Sequence, residues 1–295
     1  MTENNPPDCD MYMAQLAEYA KDLREIYKSE RAKSEELQVA HQQLINYAES
    51  LNDTLAQLKG AYADLNEAYL DTIHRLALAA EYKDQETGDH LIRMSRYCKL
   101  VAEKMGLPEK QVQNIFYAAP MHDVGKIGIP ENILMKPGKL TDEEFEIIKK
   151  HPKMGADILA NSKSEILQLA EKIAICHHER WDGKGYPCGI VGEDIPITCR
   201  IVALADTFDA LTSRRPYKDP YPVEVALEIV KRGRGSNFDP AVVDVFLGNF
   251  SEVLRIKEEV GSIENLSLAD FAWSERDLEA GNVLQLAKKA AQSGN

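Results

Sequence analysis

No stretch of the 295-residue chain approaches the roughly 18 consecutive apolar residues that cross a bilayer, so a membrane span is not expected. The start, Met1 to Asp10, is polar and carries Pro6 and Pro7. It lacks the basic and apolar regions of a signal peptide. Cysteine is scarce. Cys9, Cys98, Cys176, Cys188 and Cys199 form an odd set, and none of their spacings resembles a zinc knuckle or a CxxC pair. That argues against a disulfide framework and fits a reducing cytoplasm. Runs of alternating β-branched residues are missing, which leaves little basis for a sheet. Basic residues are in deficit, at 35 Lys and Arg against 48 Asp and Glu, for a net charge of −13. Such a chain repels a long polyanion, which argues against DNA as a partner. A small anion stays compatible, because metal ions and a few local bases invert the field.

Between about residues 11 and 80 proline is absent and Gly60 is the single glycine. The segment reads as one long helix. Leu16, Leu23, Leu37, Leu44, Leu51, Leu58 and Leu65 are spaced by seven or fourteen, with Glu30 interrupting the row. A weaker row follows three residues later: Tyr19, Ile26, Lys33, Ala40, Tyr47, Thr54, Ala61 and Ala68. This is a heptad with Leu at a and a poor d row. Leu55, Tyr62, Tyr69 and Leu76 then widen the stripe, as contact with further helices would require. About 70 helical residues extend roughly 100 Å. That exceeds a single domain, so a dimeric coiled coil is expected, with a hairpin broken near Gly60 as the alternative. The rest of the chain is helical in pattern, with Gly- and Pro-rich loops at 125–130, 136–139 and 182–197. Thr141 followed by Asp142-Glu143-Glu144 reads as an N-cap with an acidic first turn. The expected class is all-α. Four parts are expected: a disordered start at 1–10, the heptad helix at 11–74, a catalytic domain at 75–250 and a helical extension at 251–295.

Seven histidines are unevenly placed, and five of them stand beside carboxylates, another histidine or loop residues. Glu86 and His90 are four apart and would share a helical face able to grip one ion. Gly88 between them suggests that a helix begins there. Adjacent residues His122 and Asp123 would point about 100° apart on a helix. Such a pair suits two neighbouring ions, or one ion given a special backbone. Lys126 follows one turn later as a point charge for a phosphate oxygen. The alternative reading is a surface helix end capped by Gly125. Pro120 would begin or bend this segment. His151 precedes Pro152, which predicts an extended backbone there if His151 precedes a new helix and, taken alone, a structural histidine.

His177-His178-Glu179 ends the apolar run Ile173-Ala174-Ile175. Two buried imidazoles without partners are costly, and metal ligation removes that cost. The loop Asp182-Gly183-Lys184-Gly185-Tyr186-Pro187 is either a plain connection or one that offers backbone N–H groups to an anion. Asp206 and Asp209 share a face within an apolar helix, where a carboxylate needs a cation or several hydrogen bonds. Arg214, Arg215 and Lys218 follow. Mixed imidazole and carboxylate ligands without thiolate fit Fe, Mn or Zn, and their number exceeds what one ion needs.

These blocks, in this order, resemble the HD-GYP family, a branch of the HD-domain metal phosphohydrolases. The resemblance covers about residues 75–250. It rests on His122-Asp123-Val124-Gly125-Lys126-Ile127-Gly128-Ile129-Pro130, His177-His178-Glu179, Asp182 to Pro187 and Arg215-Pro216-Tyr217. It implies cleavage of cyclic di-GMP to pGpG and GMP, or of cyclic GMP–AMP in some members, by a metal-held hydroxide. It implies His122, Asp123, His151, His177, His178 and Asp206 as binuclear metal ligands. Glu86 and His90 would add a third ion, with iron the expected metal. Lys126, Arg215 and Lys218 would meet phosphate, and Asp209 would act close to the metals. Tyr186 would line substrate access and a contact with GGDEF-type cyclases. A cyclic-dinucleotide sensor, or a phosphohydrolase for another nucleotide, is the rival reading.

Overall fold

The computed structural model describes residues 9–84, 88–214 and 219–261. Glu86, Arg215 and Lys218 lie outside these residues, as do most of the start at 1–10 and most of the segment at 251–295. The chain divides into two compact units, residues 1–67 and 68–295. Among the described residues the structure is helical, with no strand beyond one isolated bridge between Arg234 and Phe238. The all-α expectation therefore holds. No described helix is long and apolar enough to cross a membrane.

Helix α1 is Cys9–Asp84 and continues through Gly60, so the hairpin alternative is not what the chain adopts. In the first unit its a-row leucines are exposed: Leu16 by 62%, Leu44 by 66% and Leu65 by 69%. From Ala68 onward α1 belongs to the second unit, and its burial changes. Ile73, Ala77, Ala80 and Glu81 are all buried. Spacings of four, three and one put them on one helical face. Tyr69 hydroxyl pairs with Ser164 Oγ, and Lys83 Nζ donates to Ile129 O at 2.7 Å and also to Ile127 O.

Helix α2, Gly88–Lys104, is the centre of the second unit. Asp89 in its first turn and Lys104 in its last complement the helix dipole. Leu91, Met94, Tyr97, Cys98 and Val101 are buried on it. Next come α3, Glu109–Ala118, and a 3₁₀ turn at Ala119–Met121 that accommodates Pro120 near its start. A second 3₁₀ turn covers Val124–Gly128, before α4 at Glu131–Leu134. Helix α5, Asp142–Ile148, has the N-cap at Thr141 and the acidic first turn that the sequence predicts, and Glu144 closes a capping box with Thr141. Helices α6, His151–Leu159, and α7, Glu165–Cys176, pack together, with Ser164 capping α7. Helix α8, Ile197–Thr212, lies on α2. After it come α9, Val223–Gly233, α10, Pro240–Gly248, and α11, Phe250–Gly261.

Helix α2 packs against α3, α8 and α11. Phe208 of α8 stands edge-on to Tyr97 at 5.8 Å, Phe246 at 5.1 Å and Phe250 at 5.9 Å. Tyr97, Phe208 and Phe246 are fully buried, and each such ring stabilises the fold by about 1.5–3 kcal/mol. This core fixes α2 and α8, and those two helices carry His90, Arg93, Asp206 and Asp209.

Candidate metal centre

Four separate segments bring the histidines together. His90 lies in the first turn of α2, whose start at Gly88 matches the expected break. His122 caps the 3₁₀ turn after α3, and Asp123 follows with φ −103° and ψ 10°. That backbone is not α-helical, so the 100° divergence expected of neighbours on a helix does not apply. His122 Nε2 comes to 3.1 Å from Asp123 Oδ2.

His151 is the first residue of α6, with Pro152 directly after it. His151 opens the helix and does not precede it, so the condition for an extended backbone there is not met. A proline at the start of a helix is tolerated, because the N–H groups of the first turn have no intrahelical acceptor. His177 is the C-cap of α7, and His178 follows it.

A hydrogen-bond pattern repeats across four imidazoles. His122 Nδ1 lies 3.0 Å from Ala119 O, His151 Nδ1 2.7 Å from Ile148 O, and His177 Nδ1 3.0 Å from Ala174 O. A carbonyl oxygen only accepts, so each Nδ1 carries the proton and donates. His90 Nδ1 does the same toward Asp209 Oδ2 at 2.8 Å. Each Nε2 is thereby left as a lone pair, and the four are turned inward. His151 Nε2 and His177 Nε2 are 3.4 Å apart. Asp123 Oδ1 is 3.1 Å from the first and 3.4 Å from the second. Asp206 Oδ1 is 3.8 Å from His90 Nε2 and 3.9 Å from His122 Nε2.

Two ligand groups result. Asp123, His151, His177 and His178 bring one donor atom each within 4.8 Å of the others, and so do His90, His122 and Asp206. His122 and Asp123 are neighbours in sequence and fall in different groups, as two adjacent ions would need. The arrangement fits divalent metal on its own terms. His122 Nε2 and Asp123 Oδ1 are shut off from solvent and have no hydrogen-bond partner among the described residues. Metal ligation would supply the missing partner. Each group can hold an ion.

The electrostatics agree. Burial alone lowers the pKa of His122, but the negative charge of Asp123, with that of Asp206 and Glu81, raises it to about 10. The carboxylates around His122 thus make the cavity favourable to positive charge. Burial pushes the His178 and His177 imidazoles below their usual range, which keeps them neutral as ligands must be. Asp123 is held well below the carboxylate range: burial opposes ionisation, and Lys126 and His122 outweigh it.

Around these groups stand residues that position them. Asp209 is fully buried. Beyond His90 it takes Arg93 Nε on Oδ1 at 2.6 Å and Arg93 Nη2 on Oδ2 at 2.9 Å, while Ser213 Oγ donates at 3.1 Å. Lys126 Nζ lies 2.7 Å from Asp123 Oδ2 and also pairs with Asp84 at the end of α1. The expected phosphate cation thus sits between two carboxylates. Tyr186 lies in the Gly-Tyr-Pro loop with its ring stacked on His178, centroids 4.7 Å apart.

The N–H groups of Cys188 and Gly189 donate to Glu179 Oε1 at 2.7 and 3.2 Å. The anion that these N–H groups meet is therefore the chain's own carboxylate. Two glycines make the close approaches possible. A Cβ on Gly125 would stand 2.0 Å from His151 O, and one on Gly185 would stand 2.5 Å from Arg180 N.

Sequence reasoning did not single out Arg93, Asp84 or Glu81. Glu81 is 1% exposed, its Oε2 has no hydrogen-bond partner among the described residues, and burial raises its pKa. It belongs to α1, where the heptad pattern drew attention to leucines. The signal for it was a carboxylate inside the face formed by Ile73, Ala77 and Ala80.

An HD-domain family model matches residues 75–242. The chain belongs to the HD-domain family, and its Gly185-Tyr186-Pro187 block marks the HD-GYP branch. It is 46% identical over 200 residues to a cyclic di-GMP phosphodiesterase response regulator of Xanthomonas campestris, covering 68% of this chain and 53% of that one. It is 45% identical over 222 residues to a cyclic di-GMP phosphodiesterase of Thermotoga maritima, covering 74% and 60%. It is 44% identical over 194 residues to 3′3′-cGAMP-specific phosphodiesterase 2 of Vibrio cholerae, covering 66% and 37%. The chain spans about half the length of the first two relatives.

Proposed function

We propose that the protein is a metal-dependent phosphodiesterase that hydrolyses cyclic di-GMP to pGpG and/or GMP. The observation that carries this reading is the convergence of four Nδ1-anchored imidazoles and two carboxylates into two adjoining ligand groups. Binuclear sites of this kind suit in-line displacement at a phosphodiester, since bound ions lower the pKa of a shared water and clamp the phosphoryl oxygens. His122, Asp123, His151, His177, His178 and Asp206 are the ligands in this reading, with His90 and Glu86 serving a third ion. Iron is the metal we favour.

Lys126 supplies positive charge beside the phosphoryl oxygens, with Asp84 and Asp123 fixing its position. Arg215 and Lys218 meet phosphate as well. Asp209 keeps His90 in the tautomer that points Nε2 inward. Tyr186 shapes the entrance beside His178. Cyclic GMP–AMP is the second substrate considered, because one of the similar proteins carries that specificity in its name.

The exposed leucine row of the first unit supports a coiled-coil homodimer, which would cover it. A GGDEF-domain protein is a further partner consistent with the Gly-Tyr-Pro loop. Cys98, Cys176, Cys188 and Cys199 are free thiols outside any disulfide, which suits a cytoplasmic setting. The test is a nucleotide panel with the metal-loaded chain and with His122→Ala. Turnover of cyclic di-GMP by the parent, lost with metal in the variant, is the expected result. Equal activity and metal content in the two would refute the reading.

A further inference from the structure

Helix α5 buries none of its side chains, yet it carries an aromatic residue, Phe145, with 42% of its surface exposed. An exposed large ring is unremarkable alone. Here it continues a series of rings that starts inside the metal centre. His178, of the Asp123 group, stacks on Tyr186 at 4.7 Å and 29°. Tyr186 stands edge-on to Phe145 at 6.3 Å and 79°. Lys149 is one turn after Phe145, and its Nζ sits 4.9 Å from the Phe145 centroid and 6.0 Å from that of Tyr186. The same Nζ reaches Glu146 at 2.6 Å. One face of Tyr186 is taken by His178. A ligand leaving the metal centre in this direction therefore meets the Tyr186–Phe145 side, with an ammonium at hand.

We propose that Phe145 and Lys149, with Tyr186, form a base-binding shelf for one guanine of the cyclic dinucleotide. The inference rests on the function proposed above and names the residues that select the base. Every base has a π-face, so a ring pair binds bases without strong preference. Selection comes from Lys149. Guanine presents two acceptors, N7 and O6, on one edge, whereas adenine pairs its N7 acceptor with an N6 donor. An ammonium has donors only, so it satisfies the guanine edge and is opposed by the adenine amino group. Glu146 holds Lys149 near the rings until a base arrives.

The test is equilibrium binding of non-hydrolysable phosphorothioate analogues of cyclic di-GMP and cyclic di-AMP to the metal-loaded full chain. Parent, Phe145→Ala, Phe145→Tyr and Lys149→Ala are compared. Phe145→Ala is expected to weaken the guanine analogue about ten-fold or more, as loss of a stacking ring does. Phe145→Tyr keeps a ring and restores binding to within a few-fold. Lys149→Ala weakens the guanine analogue more than the adenine one, so the ratio of the two affinities falls. Parent affinity in Phe145→Ala, or an unchanged ratio in Lys149→Ala, overturns the shelf. Turnover of cyclic di-GMP by the parent, measured alongside, separates the two failures. A parent that hydrolyses the substrate while Phe145→Ala binds normally removes the shelf alone. A parent that neither binds nor hydrolyses removes the proposed function with it.

Discussion

Replacing Asp209 by Asn changes one oxygen to NH₂ and almost nothing in shape, yet the surroundings have no place for the new donor. Both carboxylate oxygens of Asp209 accept: Oδ1 from Arg93 Nε at 2.6 Å, and Oδ2 from His90 Nδ1, Arg93 Nη2 and Ser213 Oγ. An amide turned either way faces its NH₂ toward an Arg93 donor. Where it also faces His90, the imidazole must give up its Nδ1 proton and carry it on Nε2, which can no longer ligate. Arg93 is left 7% exposed with its counter-charge removed. Breaking a buried pair in this way costs about 3–5 kcal/mol. In a unit of this size a loss of about 3 kcal/mol lowers the unfolding midpoint by roughly 6–12 °C.

Metal affinity in the His90 group should fall about 10–100-fold, the usual effect of losing the residue that orients a ligand. Acidity gives an independent signature. Burial opposes ionisation of Asp209, but His90 and Arg93 hold its pKa below the ordinary 3.8. Its contribution is therefore fully present above pH 3.8 and is lost as pH falls through the lower folded value. Asp209→Asn removes that acid-dependent portion of the stability curve. Thermal unfolding and metal-to-protein ratio are the assays. A variant with the parent midpoint and full metal content would refute the argument.

Lys126→Ala should keep its metal and lose about 10²–10³-fold in turnover of cyclic di-GMP, the scale of removing one charge stabiliser. Metal analysis and steady-state kinetics check this, and loss of metal together with activity would make Lys126 a structural partner of Asp123. Gly125→Ala drives a Cβ into His151 O and Gly155 N, so it should lower the unfolding midpoint and weaken metal in the Asp123–His151 group. A stable, fully loaded variant would contradict that. Leu44→Lys with Leu51→Lys puts charges into the heptad seam and should convert a dimer to a monomer in sedimentation equilibrium. A monomeric parent would end the coiled-coil reading.

The all-α class was legible because a long proline-free stretch, an N-cap with an acidic first turn at Thr141 and the lack of β alternation all agreed. The candidate ligands were legible for a local reason: His122-Asp123 and His177-His178 each place two such residues side by side, next to sharp backbone breaks. What connects these blocks was not legible. Arg93 and Asp209 are 116 residues apart in sequence, and nothing local marks Arg93 as the partner of a buried carboxylate. Glu81 was hidden by its helix, whose heptad repeat describes the exposed first unit and not the buried face that begins near Ile73. Whether His151 precedes a helix or opens one was not legible either. Phe145 and Tyr186 lie on a helix and a loop that only the tertiary fold brings together.

The central claim is that two ligand groups hold at least two ions that together drive phosphodiester hydrolysis. It is tested most directly by stripping the chain of metal, adding iron back anaerobically in measured equivalents, and following cyclic di-GMP turnover at each step. The account predicts little turnover with one equivalent bound, a steep rise as the second is taken up, and loss of that rise in His122→Ala. Turnover that persists in the stripped chain, or none on any cyclic dinucleotide with two or more equivalents bound, would contradict it.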